Sequence, residues 1–329
     1  MSLPSVLQNS LTLPVICSPL FIISNPDLVI AQCKAGVVGS FPALNARPAE
    51  ELDVWLERIT RELAEYKAAN PDAVVAPFAV NQIVHSSNDR LQHDVEMCVK
   101  YKVPIVITSL RAPNEVVGPI HSYGGLVFHD VINVKHAKKA IEAGVDGLIL
   151  VCAGAGGHAG QLSPFALVSE IREFYDGPII LSGSISKGEQ ILAAQAMGAD
   201  LAYMGTRFIA THEANADQAY KQMLVDTSAD DIVYSNLFTG VHGNYLKPSI
   251  QNAGMDPNAL PEGDKSTMKF GSGGSNKSKA WRDIWGAGQG VGSIGAITST
   301  AEAVSKLEKE YASARARMQN IASPYGEQS

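Results

Sequence analysis

Glu142-Ala143-Gly144-Val145-Asp146-Gly147-Leu148-Ile149-Leu150-Val151 reads as the end of a helix followed at once by a buried strand. Gly144 closes the helical stretch, because the left-handed cap conformation costs glycine least. Gly147 to Val151 is a short apolar run of the kind a strand covered on both faces requires. Beyond it, Gly154-Ala155-Gly156-Gly157-His158-Ala159-Gly160 has too little side-chain bulk to extend either element and reads as a loop. Ser163-Pro164 then has the form of an N-cap with a first-turn proline. A helix is predicted from there, with Phe165, Val168 and Ile171 facing inward. The local unit is therefore strand, glycine-rich loop, helix.

The same unit repeats outward in both directions. Apolar runs at Pro14 to Cys17, Val37 to Ser40, Val75 to Val80, Ile105 to Thr108, Leu126 to His129, Gly147 to Val151, Ile179 to Ser182 and Leu201 to Met204 are each followed by a stretch of helical periodicity. Helix stops resembling the one at Gly144 recur at Lys34-Ala35-Gly36 and Ala196-Met197-Gly198. Eight such alternations predict an α/β fold, a (β/α)8 TIM barrel. After Phe208 the alternation fails. Residues 1–211 and 281–329 are accordingly assigned to the barrel. Residues 212–280 are assigned to an inserted, partly helical, loop-rich subdomain after strand 8, with a helix near Asp217 to Thr227. Its tail, Gly271 to Ser278, has the composition of a linker or of a mobile lid. Order is expected to resume at Trp281, and Ser299 with Glu302 spells a capping box that opens a last helix running through Arg317.

Composition narrows the function. With 46% apolar and 18% charged residues the chain can bury a large core without staples. The net charge of −7 is spread out, and no basic run offers a surface for nucleic acid. Cys17, Cys33, Cys98 and Cys152 are too scattered for a zinc or thioredoxin-type pair and read as reduced thiols. The N-terminus lacks a basic start, and no apolar stretch approaches the roughly 20 residues of a membrane span. A cytoplasmic enzyme is expected, and a homodimer is compatible with it. No carboxylate pair, His-x-x-x-His or cysteine cluster points to a metal, and no Gly-x-Ser-x-Gly to an acyl-transfer serine. Redox chemistry on an organic cofactor becomes the leading class. Gly154, Gly156, Gly157 and Gly160 lack the spacing and the acidic partner of a dinucleotide fingerprint.

In a parallel barrel, ligands sit at the carboxyl ends of the strands. Those ends carry Ser18, Asn81, Thr108, His129, Asp130, the His158 loop, Ser182-Gly183-Ser184 and Gly205-Thr206. Glycine with a neighbouring hydroxyl suits phosphate, and two such places on adjacent strands outweigh the reading of each as a plain turn. His158 stands among glycines that allow a flat ligand to approach, and imidazole can serve as acid, base or hydrogen-bond donor. His129 and Asp130 read equally as ligand contacts or as a packed pair. His85, His93, His121 and His136 read as solvated side chains.

Taken together, these motifs resemble the nitronate monooxygenases, formerly called 2-nitropropane dioxygenases, a family of FMN-dependent barrels. Pro14 to Leu20 resembles the family's opening strand, Phe78-Ala79-Val80-Asn81 its asparagine segment and Gly156 to Gly160 its histidine loop. Leu181 to Ile185 and Met204 to Phe208 are similar to its two phosphate loops, and Trp285 to Gln289 to the late segment that approaches the flavin. The chain departs from the family with Leu20 for a common Met and Gly183-Ser184 for Gly-Gly. The resemblance implies FMN contacts at Asn81, Val151, Gly156, Gly183, Tyr203, Met204, Gly205, Thr206 and Gln289, with His158 catalytic. It further implies oxidation of an alkyl nitronate of the propionate 3-nitronate type by O₂ to a carbonyl product and nitrite, with His158 positioning or neutralising the anionic substrate. An FMN-dependent NAD(P)H:quinone or enoyl-thioester reductase of the same architecture is the alternative.

Overall fold

The computed structural model describes residues 3–263 and 284–320, so the Gly271 to Ser278 stretch and Trp281 lie outside the described residues. Strands β1 (Val15–Cys17), β2 (Gly39–Pro42), β3 (Phe78–Val84), β4 (Ile105–Leu110), β5 (Leu126–Val131) and β6 (Gly147–Val151) are followed by a two-residue strand, β7 (Gly157–His158), then by β8 (Ile179–Ser182) and β9 (Leu201–Met204). All but β7 form one parallel sheet in the order β1-β9-β8-β6-β5-β4-β3-β2. A parallel bridge between Ile16 and Val38 joins its two edges. The Cys17 N–H donates to Val38 O at 2.8 Å and the Val38 N–H to Val15 O at 3.1 Å, so the sheet closes as the alternation predicted. Strand β3 begins at Phe78, later than the apolar run at Val75 suggests. The Ala76 N–H is taken by Cys33 O, and Pro77 has no N–H for a ladder.

Helices α1 (Pro26–Lys34), α2 (Glu51–Ala69), α3 (Leu91–Lys100), α4 (Asn114–His121), α5 (Val134–Glu142), α6 (Pro164–Arg172), α7 (Gly188–Ala196) and the short α8 (Thr206–Ile209) follow the strands. Their starts are chemically marked: the Asn25 and Asn133 side chains accept from Leu28 N–H and His136 N–H. The C-terminal helix (Thr300–Gln319) opens with the expected Ser299–Glu302 box and packs on α7 and α1. Helix α6 corrects one expectation. It buries Leu167, Val168 and Ile171, while Phe165 is 74% exposed and Ser163 makes no side-chain cap. At roughly 100° per residue Phe165 lies about 120° from Ile171, off the apolar stripe. Among the described residues no helix is long and apolar enough to cross a membrane.

Two apolar layers result. One lies between helices and sheet, and the other fills the barrel with Ile16, Val38, Ala79, Ile105, Ile107, Phe128, Ile149, Ile180 and Leu201. The turn Ser5–Leu7 adds Leu7 to that inner cluster. All four cysteines are buried and unpaired.

A buried ion pair anchors the loop after β2. Arg90 donates to Asp94 Oδ1 at 3.0 Å and to the carbonyls of Ala46 at 2.7 Å and Ala43 at 3.4 Å. Arg90 is 7% exposed and Asp94 fully buried. Asp94→Ala leaves a guanidinium without its counter-charge, so a loss of about 3–5 kcal/mol is expected in urea unfolding. The double variant Arg90→Met/Asp94→Leu is expected to lose less, because the stranded charge is gone.

The segment after β9 contains α9 (Gln218–Asp226), β10 (Ile232–Ser235), β11 (Gly243–Leu246) and α10 (Lys247–Asn252). Strand β11 pairs antiparallel with β10 on one side and with β7 on the other, with Gly243 opposite His158. A parallel bridge between Thr211 and Thr298 brings the two ends of this long excursion together. The excursion therefore hydrogen-bonds directly to the glycine-rich loop after β6.

Candidate active site

The period of two along each strand decides what faces the barrel axis. Ile107, Phe128, Ile149, Ile180 and Leu201 fill the interior, and two residues further along the same faces stand Ser109, Asp130, Val151, Ser182 and Tyr203. Asn81 follows Ala79 in the same way. The interior thus turns from apolar to polar at the carboxyl ends of the strands. There these side chains line a cavity of about 840 Å³, within the size range of small-molecule and cofactor sites.

One end of the cavity is nearly free of side-chain bulk. Gly183 has φ +136°, a region open in practice only to glycine, and a Cβ there would lie 2.7 Å from Ala153 O. A Cβ at Gly205 would lie 2.4 Å from Ser18 Oγ, and one at Gly156 would lie 2.7 Å from Gly288 N. Gly154 O ties three loops together by accepting from the Ser184 N–H at 3.3 Å and the Gln289 N–H at 2.9 Å. The Gly288 N–H donates to Thr206 Oγ1 at 2.9 Å. The Gly205 N–H has no backbone acceptor among the described residues. Backbone bare of side chains on adjacent strand ends, with a donor of this kind, leaves a cradle for an anion such as a phosphate.

Across the barrel mouth runs a chain of side-chain hydrogen bonds. Asn81 Nδ2 donates to Ser109 Oγ at 2.9 Å, and the Ser109 hydroxyl donates to Asp130 Oδ2 at 2.6 Å. Burial pushes the Asp130 carboxyl up to about 7 against the opposing pull of the Ser109 bond. His129, one residue earlier, faces away from the cavity and is bonded to Thr108 at 2.8 Å, so of that pair only Asp130 lines the cavity.

His158 overhangs the mouth. Its Nε2 lies 2.9 Å from Thr239 Oγ1, whose own hydroxyl donates to Val241 O at 2.9 Å. Enclosure by the loops lowers the imidazole pKa to about 4, while the ring's remaining exposure is toward the cavity. The side chain is therefore neutral near pH 7. It can orient a ligand or accept a proton.

Of the residues singled out in the sequence, Asn81, Val151, Gly156, His158, Gly183, Tyr203, Gly205 and Thr206 all line this cavity. Met204 does not: its side chain is fully buried with Leu13, Cys17 and Phe208, facing the helices. Gln289 binds the Gly154 carbonyl through its backbone, with its side chain outside the cavity wall. Among the wall residues, Ser109 and Tyr220 went unnoticed in the sequence, whereas Trp285 belongs to the late segment singled out there. Ser109 was legible in principle, two positions beyond the inward Ile107. Tyr220 and Trp285, stacked at 4.9 Å, form part of the wall, and Tyr220 donates to Gly286 O. Arg47, lying over the Phe21 ring, stands at the rim, and His136, read as solvated, also lines the cavity.

Comparison with known proteins gives matches in sequence and in fold. The family model described as nitronate monooxygenase matches residues 6–310. A nitronate monooxygenase of Paraburkholderia phytofirmans is 26% identical, the match covering 90% of this chain and 92% of that protein. A (3aS,4S,5R,7aS)-5-hydroxy-7a-methyl-1-oxo-octahydro-1H-indene-4-carboxyl-CoA dehydrogenase of Rhodococcus jostii is 24% identical over 73% of this chain, which spans 64% of that protein's length. Among solved structures, the nitroalkane oxidase of Streptomyces ansochromogenes superposes with a TM-score of 0.77 at 22% identity, covering 95% of this chain and 100% of that one. At that identity the superposition speaks for the fold alone.

Proposed function

The chain belongs to the nitronate monooxygenase family and is an oxidoreductase, and from that premise we propose that it binds FMN across the barrel mouth. There it oxidises an alkyl nitronate, of the propionate 3-nitronate type, with O₂ to a carbonyl product and nitrite. The observation that carries the reading is the polarity of the cavity. A cradle free of side chains at Gly183 and Gly205 stands at one end, and the Asn81–Ser109–Asp130 chain at the other. A cofactor with a phosphate tail and a flat ring rich in hydrogen-bonding atoms fits such a site.

Gly183, Gly205 and Thr206 would hold the phosphate, and Gly156 would leave room for the ring. Asn81 and Tyr203 would border the ring, while Val151 supplies apolar contact. When bound, FMN supplies the redox chemistry with the nitronate and with O₂. The protein's own contribution is position. His158, braced by Thr239, sets the substrate over the ring, and Tyr220 with Trp285 walls off water. Purified protein loaded with FMN and given propionate 3-nitronate is expected to consume O₂ and release nitrite. Absence of both in a protein that carries flavin would overturn the substrate assignment.

The Rhodococcus jostii relative supports a second reading, since its name is that of a dehydrogenase of a coenzyme A thioester, and Arg47 offers a cation at the rim for an anionic carrier. Anaerobic mixing separates the two. Rapid flavin bleaching by NADH or NADPH identifies an NAD(P)H:quinone or enoyl-thioester reductase, and bleaching by nitronate alone identifies the monooxygenase.

A further inference from the structure

Asp130 is more than part of the wall. Its Oδ2 accepts the Ser109 hydroxyl at 2.6 Å, while its Oδ1 is buried with no partner among the described residues. No lysine, arginine or histidine forms an ion pair with it there. An ionised carboxylate in such a place would hold an unpaired charge beside an unsatisfied oxygen, a costly combination. The neutral acid instead places its one proton on Oδ1, because Oδ2 already receives the proton of Ser109. The relay from Asn81 through Ser109 thus ends on a carboxylic acid at the ligand cavity, with no structural partner for its proton.

Resting on the FMN reading above, we propose that Asp130 is the proton-holding residue of the cofactor site, its neutral acid form admitting the flavin ring and its ionised form disfavouring it. A neutral acid can turn its O–H toward the carbonyl and nitrogen acceptors of a flavin edge, whereas a carboxylate meets those atoms as like charge. Burial supports this assignment by raising the carboxyl to about 7, so the change of form falls within an accessible range.

Burial lowers His129 and His158 to about 4, well below the range of the Asp130 change, and His136 is shifted below the ordinary histidine value by burial and then by Lys139 and Lys135. The Tyr203 phenol is raised well above its usual value, first by burial and then by Asp130 itself. Arg47 and Asp217 stand on the cavity wall without a bond to Asp130.

The test is flavin affinity against pH, read from fluorescence quenching and needing no turnover. FMN is titrated into apoprotein between pH 6 and 9, with riboflavin in parallel to remove the titration of the phosphate. For wild type the dissociation constants of both flavins are expected to rise at least tenfold from pH 6.5 to 9. Asp130→Asn, neutral at every pH, is expected to bind with the same affinity across the range. Ser109→Ala removes the bond that favours the carboxylate, and so moves the break in the wild-type curve to higher pH, a shift that a merely structural role would not produce. A flat wild-type curve, or Asp130→Asn retaining the wild-type pH dependence, overturns the proposal while leaving FMN binding intact. Failure to bind either flavin at any pH overturns the FMN reading and this proposal with it. If Asp130→Asn does not fold, the wild-type and Ser109→Ala curves decide.

Discussion

His158→Ala is expected to lower nitronate turnover by about 10²–10³-fold at saturating FMN while leaving flavin affinity and the flavin spectrum unchanged. The size is that of removing one positioned acid–base or hydrogen-bonding group from an enclosed site. The ring is not needed to hold the fold: Thr239 keeps its bond to Val241 O when the imidazole is gone, and β7 pairs with β11 through the backbone. Thr239→Val, which leaves the ring but removes its brace, is expected to cost about tenfold. The pH profile gives an independent check. Burial lowers the His158 pKa to about 4, so its protonation switches off activity only as pH falls through that value. An acid limb from this residue near pH 4, rather than near the ordinary 6.5 of histidine, is the expected result. Loss of FMN from His158→Ala would instead make the residue structural.

The second large effect lies at the other end of the cavity. Gly183→Ala is expected to raise the FMN dissociation constant about 100-fold and to leave a folded barrel. With φ at +136° and a Cβ 2.7 Å from Ala153 O, an alanine cannot adopt this backbone. Strain of about 1–3 kcal/mol, added to the clash, pushes the loop out of place. At about 1.4 kcal/mol per tenfold, the combined cost accounts for the expected loss. Gly118→Ala is the control. It lies inside α4 with nothing within 4 Å of its Cβ, so FMN affinity is expected to hold and stability to rise slightly. Equilibrium dialysis of FMN against both variants makes the comparison. Unchanged affinity in Gly183→Ala would remove the cradle from the phosphate site.

The barrel was legible because its signals are local. Gly36, Gly144 and Gly198 all have positive φ, as the helix stops required, and the strand after each needs only its own apolar run to be recognised. The eight apolar runs correspond to the eight barrel strands, with ends shifted by a few residues where Pro77 or a neighbouring loop intervenes. Phe165 misled because a proline-led helix start says where a helix begins and leaves open which way its stripe will face. Met204 misled for a related reason: the motif around Gly205 is read as a continuous string, while a strand turns alternate residues to opposite faces.

The cavity wall shows the same division between near and far. Asn81, Gly183, Gly205 and His158 stand at strand ends or in a glycine-rich loop, positions that a βα repeat makes visible one unit at a time. Ser109 needed the inward parity of β4, which is a sequence property but a weak one. Nothing in the order of residues announces that Thr239 meets His158, 81 positions earlier, or that Gly243 pairs with it across a second sheet.

The amino-acid order by itself determined the alternation of strands and helices, the caps that bound them, the closed parallel barrel and the end of it where the cavity opens. Each of these depends on interactions between residues a few positions apart, or on a period that a single element carries. Only the tertiary structure decided the state of the chemical groups. It enclosed His158, lowering its pKa to about 4, and braced it with Thr239; it buried Asp130 with one carboxyl oxygen unpartnered, and turned Met204 away from the cavity. The physical reason is that charge state and hydrogen-bond direction are set by desolvation and by partners from distant elements, and those exist only once the chain has closed on itself.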